Sequence, residues 1–229
     1  MPRLRPSLRT TSPSLEHERA LWNAGARFLI GVDEVGRGSW AGPLTVAVVA
    51  PPRESRIYKV RDSKMLSEAE RESLYERIVA WADSWAVGHA SPKECDVLGM
   101  ADAQRLATKR ALALLPQRPD HALVDGNWDF VAGPQTHLFV KGDARCLSIA
   151  AASVVAKVTR DRILRDLDKY YPQYDFASSK GYPSPNHRRA LHGYGPSVVH
   201  RKSWAWMDDL AHPGVQRLSR PSRQEAFFD

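Results

Sequence analysis

At 229 residues the chain is long enough to bury the core of one domain of ordinary size. Its 43% apolar and 26% charged residues are those of a globular protein, and no apolar run approaches the ~20 residues of a bilayer span, which excludes a membrane-spanning helix. A formal net charge of +7, with a sequence pI near 9.6, points to a polyanionic partner.

Residues 1–16 are rich in Arg, Pro, Ser and Thr and read as a disordered basic arm without the apolar core of a signal peptide. Residues 17–212 read as one folded body, and 213–229 as a flexible basic tail. Within the body, Phe28–Val32 and Leu44–Val49 are short apolar runs of strand type. Ser67 followed by Glu70 forms a capping-box pattern, and Leu74, Tyr75, Ile78 and Trp81 continue it at helical spacing. Trp85–Ala90 reads as a third strand. Ala103, Ala107, Ala111 and Leu114 mark a helix that Pro116 ends. Ala122–Val124 and Thr136–Val140 are strand-like, and a long helix follows from Ser148. Its apolar stripe is Ala151, Val154, Val155 and Val158, which turns Lys157, Arg160 and Asp161 to the opposite face. The order β-β-α-β-α-β-β-α predicts an α/β domain with helices packed on a mixed sheet.

Three of these strands run into acid: Asp33-Glu34 after the first, Asp125 after the fourth, and Asp143 shortly after the fifth. A carboxylate at the end of a buried strand is costly unless it is paired, hydrogen-bonded or bound to a cation. If the strands are neighbours, four carboxylates converge beyond the strand ends, where α/β sheets gather their ligands. Taken singly, Asp125 before Gly126 also reads as a turn. Oxygen ligands without a Cys or His pair favour Mg²⁺ or Mn²⁺ over zinc. Cys95 and Cys146 fit neither a disulfide framework nor a zinc site, so a reducing cytoplasm is expected.

The segment Gly31-Val32-Asp33-Glu34-Val35-Gly36-Arg37-Gly38 resembles the opening signature of the ribonuclease HII family. The similarity continues in order through Ala41-Gly42-Pro43, Asp62-Ser63-Lys64, Val124-Asp125-Gly126-Asn127 and Val140-Lys141-Gly142-Asp143. It ends with the block from Ile149 to Asp161, then Lys180-Gly181-Tyr182-Pro183 and His200-Arg201-Lys202-Ser203. This resemblance implies a ribonuclease H-like fold with a short helical C-terminal part. It implies that Asp33, Glu34, Asp125 and Asp143 are catalytic acids and metal ligands. The implied activity is endonucleolytic: hydrolysis of the RNA strand of RNA–DNA hybrids, and cleavage 5′ of ribonucleotides embedded in duplex DNA, leaving 5′-phosphate and 3′-hydroxyl ends. Roles in ribonucleotide removal from DNA and in RNA primer removal follow from it. Two divalent ions, Mg²⁺ or Mn²⁺, about 3.5–4 Å apart are expected to clamp the in-line displacement.

Recognition of a 2′-hydroxyl requires polar groups at close quarters, and Gly36-Arg37-Gly38 suits it, because glycine lets the main chain approach a nucleotide. Arg37 adds a forked cation. Tyr182 resembles the family tyrosine that stacks on a sugar. Lys64, Ser153, Lys157 and Arg160 are candidate phosphate contacts, while His187, His200, Arg201 and Lys202 carry no assigned role. Trp40 is read as packing. Gln224-Glu225-Ala226-Phe227-Phe228 looks like a peptide that docks in a sliding clamp, although so short a pattern also arises by chance. A monomer is expected. The competing readings are a ribonuclease H-like nuclease acting on DNA and a non-catalytic nucleic-acid-binding module.

Overall fold

Five strands make one mixed sheet in the order β3-β2-β1-β4-β5: β1 (Leu29–Val35), β2 (Leu44–Ala50), β3 (Ser84–Ala90), β4 (His121–Asp125) and β5 (Gln135–Phe139). The computed structural model describes residues 12–58, 60, 66–210 and 215–219. β1, β2 and β3 pair antiparallel, whereas β4 and β5 join β1 in parallel. Every residue of β2 is buried, as expected of a central strand covered on both faces. Val46 and Val48 point to the face covered by α3 (Pro92–Ala113). Ala47 and Val49 point to the face covered by α2 (Glu68–Trp81) and α4 (Leu147–Asp168). α4 lies so close to β1 that a Cβ on Gly31 would stand 2.1 Å from the Ser148 carbonyl carbon. Gly31 thus permits the contact that brings α4 under the end of β1.

The predicted mixed α/β architecture and its element order are present. The Ser67 capping box is formed, with the Ser67 amide donating to Glu70 Oε2 at 2.7 Å and the Glu70 amide to Ser67 Oγ at 3.3 Å. Two helices exceed the expectation. α3 starts eleven residues before Ala103, behind a second capping box of Ser91 and Glu94, and breaks at Gly99, whose φ of 76° is not helical. α1 (Glu16–Asn23) precedes the sheet. Ser14 bridges Cys146 and Leu15 is buried, so residues 14–16, assigned to a disordered arm on composition, pack in the fold.

The chain after α4 forms the short helical C-terminal part, with α5 (Phe176–Ser179) and α6 (Pro185–Tyr194). It packs on the far end of α4 and on the loop after β1, through a cluster that includes Ala41, Leu164, Tyr174, Phe176, Leu191 and Met207. Trp40 stacks on Trp206 with ring centroids 4.9 Å apart, the packing role expected of it. This cover, with the loop after β1 and α2, buries the end of α4 whose side chains periodicity set opposite the apolar stripe. Arg160 is 0% and Asp161 1% exposed.

Candidate active site

β1 continues through its acids, because its antiparallel pairing with β2 runs on to Val35. On the other side the parallel ladder with β4 ends at Val32 and Val124. The sheet therefore opens between β1 and β4 just where the carboxylates begin, where a parallel half meets an antiparallel half. Asp33 and Asp125 are the next residues of the two strands, which are spaced about 4.8 Å apart where they pair. Both share the face of Gly31 and Leu123, against α4.

Asp33 is buried, with 7% of its surface exposed. Burial, then the charges of Glu34 and Asp125, push its carboxyl well above the usual carboxylate range. Hydrogen bonds from the Ser153 side chain and from the Glu34 amide, at 2.7 Å, oppose that rise. Ser153 thus steadies Asp33, where sequence assigned it to a phosphate. Asp125 Oδ1 accepts from the Gly142 amide at 2.7 Å. Gly142 opens a 3-10 turn, Gly142–Ala144, entered through left-handed Lys141, and the turn carries the buried Asp143. The structure thereby places Asp33 within reach of the charges of Glu34 and of Asp125, and sets Asp143 next to the residue that holds Asp125. It does not gather them into the single tight cluster expected from sequence. Among the described residues, no group of three or more His, Cys, Asp or Glu side chains is placed to hold a metal ion.

The Gly36–Pro43 loop lies against two buried guanidinium groups. Arg160 donates to Pro43 O (2.8 Å), Lys180 O (2.9 Å), Ala41 O (2.9 Å) and Ser39 Oγ (2.6 Å). Arg201 donates to Arg37 O and Gly42 O, both at 3.1 Å. Burial pushes the Arg160 pKa down to about 10, which leaves it charged at neutral pH. Arg160 was a predicted phosphate contact. It is instead enclosed and occupied, and it acts by holding the loop. Gly36, at φ 90°, leaves room for it, because a Cβ there would meet Arg160 Nε at 2.4 Å. Arg37 and Gly38 are exposed, and a Cβ on Gly38 would meet nothing within 4 Å.

Tyr182 is half-buried, with the Arg160 guanidinium 5.5 Å from its ring centre. Lys157 pairs with Asp161 at 2.7 Å. Lys64 and Gln224–Phe228 lie outside the described residues. His187 and His200 are buried and joined Nε2 to Nε2 at 2.9 Å, so they belong to the core of the C-terminal part. Sequence reasoning gave no role to Ser39 or Arg201. Arg201 stood within the family-like blocks, but nothing in its spacing marked it as buried.

Comparison with known proteins agrees with this architecture. Residues 30–207 match the family model described as Ribonuclease HII. A Ribonuclease HII of Streptomyces avermitilis is 45% identical over 200 residues, which cover 86% of each chain. The RNase HII in a structure of the PCNA:RNase HII complex from Archaeoglobus fulgidus superposes with a TM-score of 0.68 at 29% identity, covering 80% of this chain and 97% of that one. Bst-RNase HIII in complex with Mn²⁺ shares the fold, with a TM-score of 0.59 at 18% identity over 81% of this chain and 70% of that one. With a family match that spans the sheet, the acids and the C-terminal part, the chain belongs to the ribonuclease HII family, endonucleases of the ribonuclease H type.

Proposed function

We propose that Asp33, Glu34, Asp125 and Asp143 are the catalytic and metal-holding acids. In this reading the protein hydrolyses the RNA strand of RNA–DNA hybrids and cuts 5′ of ribonucleotides embedded in duplex DNA, leaving 5′-phosphate and 3′-hydroxyl ends. The observation that carries the reading is the buried Asp33 carboxyl at the opening between β1 and β4, crowded by the like charges of Glu34 and Asp125. Such crowding is relieved by a divalent cation, and a donor set of carboxylate oxygens suits Mg²⁺ or Mn²⁺. The Mn²⁺ held by Bst-RNase HIII supports that choice.

When bound, the metal supplies Lewis acidity at the scissile phosphate and activates water for attack. The protein's own groups set the geometry. Ser153 and the Glu34 amide orient Asp33, and the Gly142 amide orients Asp125. The main chain of Gly36-Arg37-Gly38 approaches the ribose, where its polar groups distinguish a 2′-hydroxyl from hydrogen. Arg37 meets a phosphate, Tyr182 stacks on the neighbouring sugar, and Lys64 and Lys157 contribute charge along the backbone.

The physiological roles that fit this chemistry are ribonucleotide removal from DNA and RNA primer removal, by a cytoplasmic monomer. A sliding clamp as partner is supported by the Archaeoglobus relative's complex with PCNA, and the Gln224–Phe228 tail is the segment this reading assigns to that contact. The decisive experiment is cleavage-site mapping on a duplex with one ribonucleotide, beside an all-DNA control, with and without chelator. A single nick 5′ of the ribonucleotide, lost with chelator, is expected. Nicking of the all-DNA duplex, or unchanged cleavage by Asp33→Asn, would refute the reading.

A further inference from the structure

Arg37 lies in the loop after β1, and Trp128 lies three residues beyond Asp125. The structure stacks them, with the Arg37 guanidinium carbon 5.7 Å from the centre of the Trp128 ring. A second guanidinium, that of Arg105 on α3, stands 5.1 Å from the same ring and is itself tied to Asp102 at 2.7 Å. Trp128 is not a loose surface ring. It packs on the buried core beside Phe130, at 5.4 Å between centroids. Arg37, by contrast, is exposed and follows a glycine, and among the described residues no carboxylate pairs with it. An arginine in that setting has large rotamer freedom, and an aromatic face is what restricts it.

We propose that Trp128 is a positioning residue for Arg37. It registers the guanidinium against the strand end that carries Asp125, so that the cation meets the substrate phosphate without first being ordered. Arg201 fixes the main chain of Arg37 through its carbonyl, and Trp128 fixes the side chain. Of the two like charges on one indole, that of Arg105 is paired with Asp102, while among the described residues that of Arg37 is in no ion pair, which leaves it suited to an anion. The inference rests on the proposed contact of Arg37 with substrate.

The test is steady-state cleavage of an RNA–DNA hybrid by the full chain carrying Trp128→Leu, Trp128→Ala, Trp128→Phe, Arg37→Ala or Arg37→Ala with Trp128→Leu. Trp128→Leu keeps an apolar side chain on the core and removes the π face. It is expected to raise KM roughly 3- to 30-fold with kcat within about twofold, and Trp128→Phe to restore most of the loss. The double variant should be no worse than Arg37→Ala alone, because Trp128 acts through Arg37. Two results would overturn the proposal: a wild-type KM in Trp128→Leu, or losses that multiply in the double variant. A wild-type KM in Arg37→Ala would remove the reading of Arg37 as well. Should Trp128→Ala fail to fold, the Leu and Phe variants still decide the question.

Discussion

Gly36→Ala tests whether the loop beside the acids is held in one conformation from below. The substitution puts a Cβ at φ 90°, where an L-residue is strained by about 1–2 kcal/mol. The new carbon would stand 2.4 Å from Arg160 Nε and 2.9 Å from Pro43 O, so the 2.8 Å hydrogen bond between those two atoms must break. A hydrogen bond from a buried charged donor contributes about 1.5–3 kcal/mol. Together these give a loss of about 2.5–5 kcal/mol, a large part of the ~5–15 kcal/mol that stabilises a domain. At about 2–4 °C per kcal/mol for a body of this size, the expected fall in Tm is about 5–20 °C. Gly38→Ala is the control, since its Cβ enters open space and its stability should change by less than about 0.5 kcal/mol. Thermal unfolding of the two variants, beside hybrid cleavage below both transitions, separates a broken cradle from a blocked approach. A Gly36→Ala protein melting within 2 °C of wild type (a margin of about 1 kcal/mol or less) would refute the argument, as would an equal fall in Gly38→Ala.

Three further outcomes follow from the same geometry. Asp33→Asn should abolish cleavage, keep hybrid affinity and raise stability by about 1 kcal/mol at neutral pH in chelator. Because the folded pKa of Asp33 is raised, its penalty grows with rising pH, so the gain should vanish on acidification below about pH 4; a gain that grows in acid would contradict the burial argument. Glu94, held near pKa 2 first by its hydrogen bonds from Arg110, contributes stability above its unfolded pKa and loses it as pH falls from about 4.5 towards 2. Glu94→Gln should therefore cost about 0.5–1 kcal/mol at pH 7 and nothing at pH 2, read by denaturant unfolding at both. Tyr182→Ala should lower cleavage more on a single embedded ribonucleotide than on a long hybrid, and equal losses would discredit the sugar-platform role.

The strands and the first capping box were legible because their signals are local. Alternation fixes a strand's faces, and Ser67 with Glu70 lies within one helical turn. The extent of β1 was less so, since its acids end the apolar run but not the pairing with β2, which is a property of the partner strand. The start of α3 carried a signal that the apolar pattern concealed: Ser91, Pro92 and Glu94 form a cap, but Gly99 interrupts the period seven residues on. Arg160 shows the deeper limit. Its position on α4 marks it as polar-facing, and only the loop after β1 and the later chain, both folding over that face, make it interior. The meeting of Arg37 and Trp128, 91 residues apart, has no periodic trace at all.

The two buried arginines explain why a loop beside the acids can be both covered and polar. Covering the Gly36–Pro43 segment with the C-terminal part turns the carbonyls of Arg37, Ala41, Gly42 and Pro43 away from water, and Lys180 O joins them from the covering side. Each would be costly without a donor. A guanidinium carries five N–H groups in a fixed plane, so two arginines can serve five carbonyls and the Ser39 hydroxyl, whereas an ammonium on a flexible stem has three donors and no fork. The cations also stand beneath the loop rather than between the acids. They organise the site without neutralising Asp33, whose raised pKa persists in their presence and whose charge remains to be met from outside. Rigid main chain and uncompensated carboxylates are thus products of one arrangement, in which the fold spends its buried positive charge on backbone oxygens and leaves its buried negative charge for a ligand.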